Sequence, residues 1–203
     1  PWHMWDPTDD EDYKLLGIIQ LHLDGLVEQL RTQNVERAAF EAAWLAHAIV
    51  DGLTPPHHYP YEEKLLELRG EGLETRNSIR NKIVIQGDTK RQTLTKNWKM
   101  WGAKGLMMSH ASFEWGVSTV VVPMRLTRKA CPANADIRHA RNIGYQKYIR
   151  ENALAIYELN MYERFLRYGW TAKLSREIRS ELGPRIAKCI TVAWALAVDE
   201  ASS

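Results

Sequence analysis

With 203 residues, 45% of them hydrophobic and 26% charged, the chain suits one folded domain with a buried core, which argues against an intrinsically disordered chain. A formal net charge of +2 names no partner, and two cysteines, Cys131 and Cys189, make neither a disulfide framework nor a cysteine zinc site. The longest apolar run, near Cys189–Val198, is too short to span a bilayer, so no transmembrane segment is expected.

The chain opens on Pro1 with no signal peptide, and an N-terminal piece is expected to be missing. Thr8-Asp9-Asp10-Glu11 reads as a capping box opening a helix from about Asp9 to Arg31. Asn34 can cap a second helix, with Val35, Ala38, Ala42, Leu45 and Ile49 at helical spacing, stopping at the Gly52–Pro56 break. Glu62 to Arg69 is a short helix. Residues 70–96 show weak periodicity and read as a basic, irregular excursion. Asn97 to Val122 reads as one long helix ended by Pro123, although Val120-Val121-Val122 alone also suits a strand. Ala133 to Arg167 is helical, disturbed at Gly144. A helix follows from Thr171, and after Gly183-Pro184 a last one runs to about Asp199. The expected class is all-α, a multi-helix bundle of five to seven helices.

Three of the seven histidines fall within residues 47–58, HAIVDGLTPPHH. His47 and Asp51 lie four apart, hence one turn apart on one helix face, where an imidazole and a carboxylate can hold a divalent ion. Pro55 and Pro56 stop the helix and stiffen a turn that can fix His57 nearby. Seven histidines in this composition produce roughly one His-xxx-acid pair by chance, and the chain has three. Taken alone, His47 and Asp51 serve equally well as a helix-surface pair. His58 and Glu62 are separated by Pro60, which spoils the helical geometry. His110 and Glu114, in HASFEW, repeat the pattern on another helix; two such pairs plus a proline-fixed histidine form a coherent multi-metal constellation in a bundle core. Phe113 and Trp115 beside them fit core packing, and His139 fits a surface position.

These residues resemble the bacterial zinc-dependent phospholipase C family, which includes alpha-toxin, and its distant relatives the single-strand-specific zinc nucleases. The family motif His-xxx-Asp-xxx-Pro-x-His matches His47, Asp51, Pro55 and His57; His110 and Glu114 match a later His-xxx-Glu pair, with Glu114 leaning towards the phospholipases. WHMWDPTDD resembles the family's aromatic-Asp-Pro segment, with Asp6 at its ligand position. The resemblance implies a helical bundle around two or three zinc ions and hydrolysis of a phosphodiester, phospholipid or single-stranded nucleic acid, by metal-activated water. It implies Asp6, His47 and Asp51 on one zinc, joined by His22 as the available first-helix histidine, and His57, His110 and Glu114 on a second. Asp6 would also orient or deprotonate the attacking water. In the family, the counterpart of Asp51 bridges to a third zinc held by an N-terminal tryptophan and a first-helix histidine; neither is identifiable here, in keeping with a missing N-terminal helix or a two-metal site. The resemblance also leans towards a secreted protein with a peripheral membrane contact.

The chain departs from the phospholipases in the long gap between His57 and His110. From residue 76 to 104 it carries Arg76, Arg80, Lys82, Lys90, Arg91, Lys96, Lys99 and Lys104 against a single acid, Asp88. That stretch suits either a solvated loop or attraction of phosphate-bearing substrates. Trp98 and Trp101 suit helix packing ahead of base stacking or lipid contact. Three readings stay open: a phospholipase C-like hydrolase, a single-strand nuclease or nucleotidase of the same fold, and a non-catalytic helical metal-binding module.

Overall fold

The computed structural model describes residues 4–124 and 131–203, apart from the side chain of Leu73. Among the described residues all regular structure is helical. The segments are α1 (Lys14–Arg31), α2 (Val35–Leu53), α3 (Tyr61–Arg69), α4 (Ile79–Ile83), α5 (Lys90–Trp101), α6 (Leu106–Val121), α7 (Asn134–Ile143), α8 (Tyr145–Tyr157), α9 (Met161–Tyr168), α10 (Ala172–Glu177) and α11 (Gly183–Ala201). Single 3-10 turns lie at Pro55–His58 and Leu73–Thr75, and a π-helical turn, Ile178–Leu182, joins α10 to α11.

The main core lies where α1, α2, α8 and α11 meet. Leu15, Ile19 and Leu23 of α1 face Leu45, Ala48 and Ile49 of α2, and Ile149, Ala153, Val192 and Ala193 close the other side. These positions recur every three or four residues, so each helix buries one stripe. A second core, built on Phe113, Tyr162, Leu174, Ile178 and Leu182, carries α6, α9 and the start of the C-terminal helices. A small third cluster of Leu65, Ile85 and Met100 ties α3 to α5.

There are more helical segments than the five to seven expected, because glycine and turn residues break the long ones. The expected helix Asn97–Val122 is two helices: α5 ends at Trp101, and the chain turns through Gly102 and Gly105 before α6. A Cβ at Gly102 would lie 2.5 Å from the Trp98 carbonyl oxygen and one at Gly105 would lie 2.7 Å from the Met100 backbone, so the turn admits only glycine. Gly144, at φ 85°, separates α7 from α8 as the sequence suggested. Residues 70–96 hold a 3-10 turn, the short α4 and the first turns of α5.

The first helix begins at Lys14, not Asp9, and Thr8 is not its cap. Thr8 instead donates its N–H and hydroxyl to Asp6 Oδ1 at 2.8 and 2.6 Å, while Asp6 N–H donates to Asp12 Oδ2 at 3.1 Å. Such short polar side chains compete with the helical ladder. The carbonyls that an earlier helix start would use are taken by the buried Arg150 of α8, which donates to Pro7, Asp9 and Asp12. Asn34 does cap α2, accepting from Arg37 N–H at 3.2 Å. Val35 lies outside the α2 stripe at 79% exposure, and Trp98 and Trp115 are exposed rather than packed.

Because Leu45 is fully buried between α1 and α2, Leu45→Ala should lower the unfolding free energy by about 2–5 kcal/mol. Urea denaturation of the variant checks this, with Val35→Ala as an exposed control expected within about 0.5 kcal/mol of the parent.

Candidate metal centre

α2 stops because Pro55 and Pro56 lack an N–H and cannot continue the helical ladder. Thr54 is extended ahead of them, and its hydroxyl donates back to Val50 O at 2.6 Å. The chain then makes one tight turn that sends consecutive histidines in different directions. His58 passes under the end of α2 and donates its Nε2–H to Gly52 O at 2.9 Å. Trp5 Nε1–H donates to the same carbonyl at 3.1 Å, and Trp5 N–H donates to His57 O at 3.0 Å. Side chains thereby satisfy a C-terminal carbonyl that the helix leaves unpaired. The remaining Nδ1 of His58 is buried with no partner among the described residues, and burial pushes the imidazole down to about 4, so His58 is neutral at pH 7.

His57 points the other way, towards α6. Its Nε2 lies 3.0 Å from Glu114 Oε1, and His110 Nε2 lies 3.1 Å from the same oxygen. The two imidazoles meet edge to face with centroids 4.9 Å apart. The three donor atoms all fall within 4.8 Å of one another. His57 and His110 side chains are 8% and 13% exposed and that of Glu114 is 43% exposed, so the group opens to solvent on the carboxylate side. Hydrogen bonds from His110 and then His57 hold the Glu114 carboxyl down to about 2.

Asp51 stands beside this trio. Its Oδ1 is 3.9 Å from His57 Nε2, and its Oδ2 is 3.4 Å from His47 Nε2, one turn back on α2. Asp51 is 7% exposed, which makes it one of the few buried carboxylates of the chain. The structure therefore brings His47, Asp51, His57, His110 and Glu114 into one continuous run of donors, although they come from elements far apart in sequence.

Two further residues singled out from the sequence have other partners. His22 Nδ1 lies 2.7 Å from Glu41 Oε2, and its ring stacks on Trp44, whose other contacts include His47. Burial works against ionisation of Glu41, but hydrogen bonds from His22 and Arg37 outweigh it, and the carboxyl lies below its ordinary range. Asp6 is exposed, and its Oδ1 is engaged by Thr8. His3 lies outside the described residues. His139 pairs with Glu151 at 2.8 Å on the surface.

Glu41, Tyr61 and Arg150 escaped the sequence reading. Glu41 fixes the His22 ring, Tyr61 packs 6.3 Å from the His110 ring, and Arg150 holds down the N-terminal segment that carries Asp6. Only Glu41 left a signal, as the acid four residues after Arg37.

The donor chemistry of His57, His110 and Glu114 fits a metal ion. Two imidazole nitrogens and one carboxylate oxygen are common zinc ligands, and bond lengths of about 2.0–2.1 Å place neighbouring donors about 3.3 Å apart in a tetrahedral shell. The separations of 3.0 and 3.1 Å to Glu114 are close to that value. This group could hold a metal ion, with the open side of Glu114 left for solvent or a ligand. Compared with known proteins, the chain matches no family model, no curated protein and no solved structure.

Two outcomes follow from this geometry. Adding zinc to chelated protein should switch the tautomer of His57 and His110, because each Nε2–H now donated to Glu114 must move to Nδ1 before Nε2 can ligate; nitrogen NMR of the imidazoles measures the switch. In metal-free protein, the low carboxyl of Glu114 adds stability fully present above its ordinary value of 4.5 and lost as pH falls through about 2. Denaturation of the parent and of Glu114→Gln should therefore differ above pH 4.5 and converge as pH falls towards 2.

Proposed function

We propose that the protein is a zinc-dependent phosphodiester hydrolase of the phospholipase C type. The observation that carries this reading is the meeting of His57, His110 and Glu114, with Asp51 and His47 directly adjacent. The resemblance to the zinc phospholipases C singles out the same residues by motif.

A phosphodiester resists hydrolysis because its charge repels nucleophiles and its alkoxide leaves poorly. Bound zinc would supply charge neutralisation at the phosphoryl oxygens and a water of lowered pKa. His57 and His110 would present neutral nitrogens, and Glu114, ionised at any pH above about 2, would complete the set from the solvent side. Asp51, placed between His47 and His57, would offer one carboxylate oxygen to an ion on either side. Asp6, tied beside the turn by Trp5, would orient or deprotonate the attacking water once released from Thr8.

One observation favours a second reading. Among the described residues, a single group of three possible ligands draws within 4.8 Å. A non-catalytic helical module holding one ion would use that group alone.

Metal analysis with a phosphodiesterase assay separates the two. The hydrolase should bind two or three zincs per chain, as the resemblance implies, and cleave a phosphatidylcholine or a small phosphodiester such as bis(p-nitrophenyl) phosphate. His57→Ala and Glu114→Ala should each lose an ion and, as general order-of-magnitude expectation for lost ligands, at least about 100-fold in rate. One zinc per chain with no cleavage of either substrate establishes the module, and full activity in either variant contradicts the hydrolase.

A further inference from the structure

A second concave region shares no lining residue with the metal centre. Ser109 and Ser112 of α6, three residues apart, share a face turned well away from the one that carries His110 and Glu114. Together with α3, the α5–α6 turn and α9 they enclose a cavity of about 700 Å³. That volume lies within the range of small-molecule sites and is far larger than a single phosphate needs.

Its chemistry is one-sided. Lys64, Lys99, Lys104 and Arg167 line it, and no carboxylate does. Lys64 is offset by Glu67 at 3.1 Å, whereas Lys99, Lys104 and Arg167 form no ion pair among the described residues. These three cations come from three different elements yet border one space. Its apolar lining combines Tyr59, Phe165 and the buried Tyr162 with Leu68, Leu106 and Leu166. Tyr168 stands at 62% exposure with the Arg167 guanidinium 5.1 Å from its ring. Ser109, 7% exposed, adds a hydroxyl from the α6 side.

We propose that this cavity binds a nucleoside polyphosphate, with the base against the aromatic wall and the phosphates across Lys99, Lys104 and Arg167. A single phosphate would leave part of this positive charge uncompensated and most of the space empty. A quaternary ammonium head group would meet repulsion. A flat ring carrying two or more phosphates matches both the charge and the wall, since aromatic side chains stack on any base. The assignment uses none of the metal-centre side chains and goes beyond the proposed hydrolase.

The test uses the whole protein after chelation, so that bound metal cannot capture phosphate. ADP, pyrophosphate, adenosine, and vesicles of phosphatidylcholine with phosphatidylserine are titrated in parallel. ADP should bind at least about tenfold more tightly than pyrophosphate or adenosine, and its affinity should fall with salt. Changing Lys99→Glu and Lys104→Glu together, both at exposed positions, should weaken ADP by about a hundredfold, two charged contacts at about tenfold each. Helicity and zinc uptake of this variant should equal those of the parent. Equal ADP affinity in parent and variant overturns the proposal, as does pyrophosphate binding as tightly as ADP. Charge-dependent vesicle binding without ADP binding also overturns it, in favour of a membrane surface. Zinc uptake and phosphodiester cleavage are measured separately, so failure here leaves the hydrolase reading to its own test.

Discussion

The Gly52 carbonyl, at the end of α2, ties three parts of the chain to one atom. Trp5 reaches it from the N-terminal segment and His58 from the proline turn, while α2 itself fixes where it points. The backbone bond from Trp5 to His57 locks the same junction from the other side. Because Pro55 and Pro56 stop the helix there and nowhere else, His57 is delivered to α6 while Asp51 remains one turn back on α2. Loosening this junction would move His57, and the donor group depends on His57 staying put.

Glu114 is the second constraint. It lies on α6, across the site from the proline turn, and one of its oxygens accepts from two imidazoles. In the metal-free protein that arrangement is a hydrogen-bonded network holding a carboxylate ionised. The same separations suit a ligand shell, so loading a cation would require a shift of each imidazole proton from Nε2 to Nδ1 more than movement of the side chains. Partial exposure of the carboxylate is what allows exchange with solvent, and the near-complete burial of both imidazoles is what fixes their direction.

Much of this could be read from the residues. The all-helical class, the cap at Asn34, the end of α2 and the break at Gly144 follow from spacing and from the chemistry of Asn, Pro and Gly. The pairs His47–Asp51 and His110–Glu114 were visible as four-residue spacings, and the prolines marked His57. Other features were hidden for physical reasons. The Gly102–Gly105 turn sits in an apolar run whose pattern continues across it, and only the close approach to Trp98 and Met100 shows why glycine is needed. The late start of α1 depends on Arg150, 138 to 143 residues away, taking the backbone carbonyls of Pro7 and Asp12. Trp115 looks like core by composition, but with Phe113 facing inward two residues earlier it projects to solvent. His22 shows the limit most clearly: its partner Glu41 is 19 residues away, and no local pattern joins them.

The central claim is that His57, His110 and Glu114 act as one ligand set. A crystal structure of zinc-loaded protein, with anomalous data across the zinc edge, tests it most directly. The account predicts an anomalous peak within bonding distance of all three side chains, about 2.0–2.2 Å. Zinc bound elsewhere, with both imidazoles still hydrogen-bonded to Glu114, would contradict it.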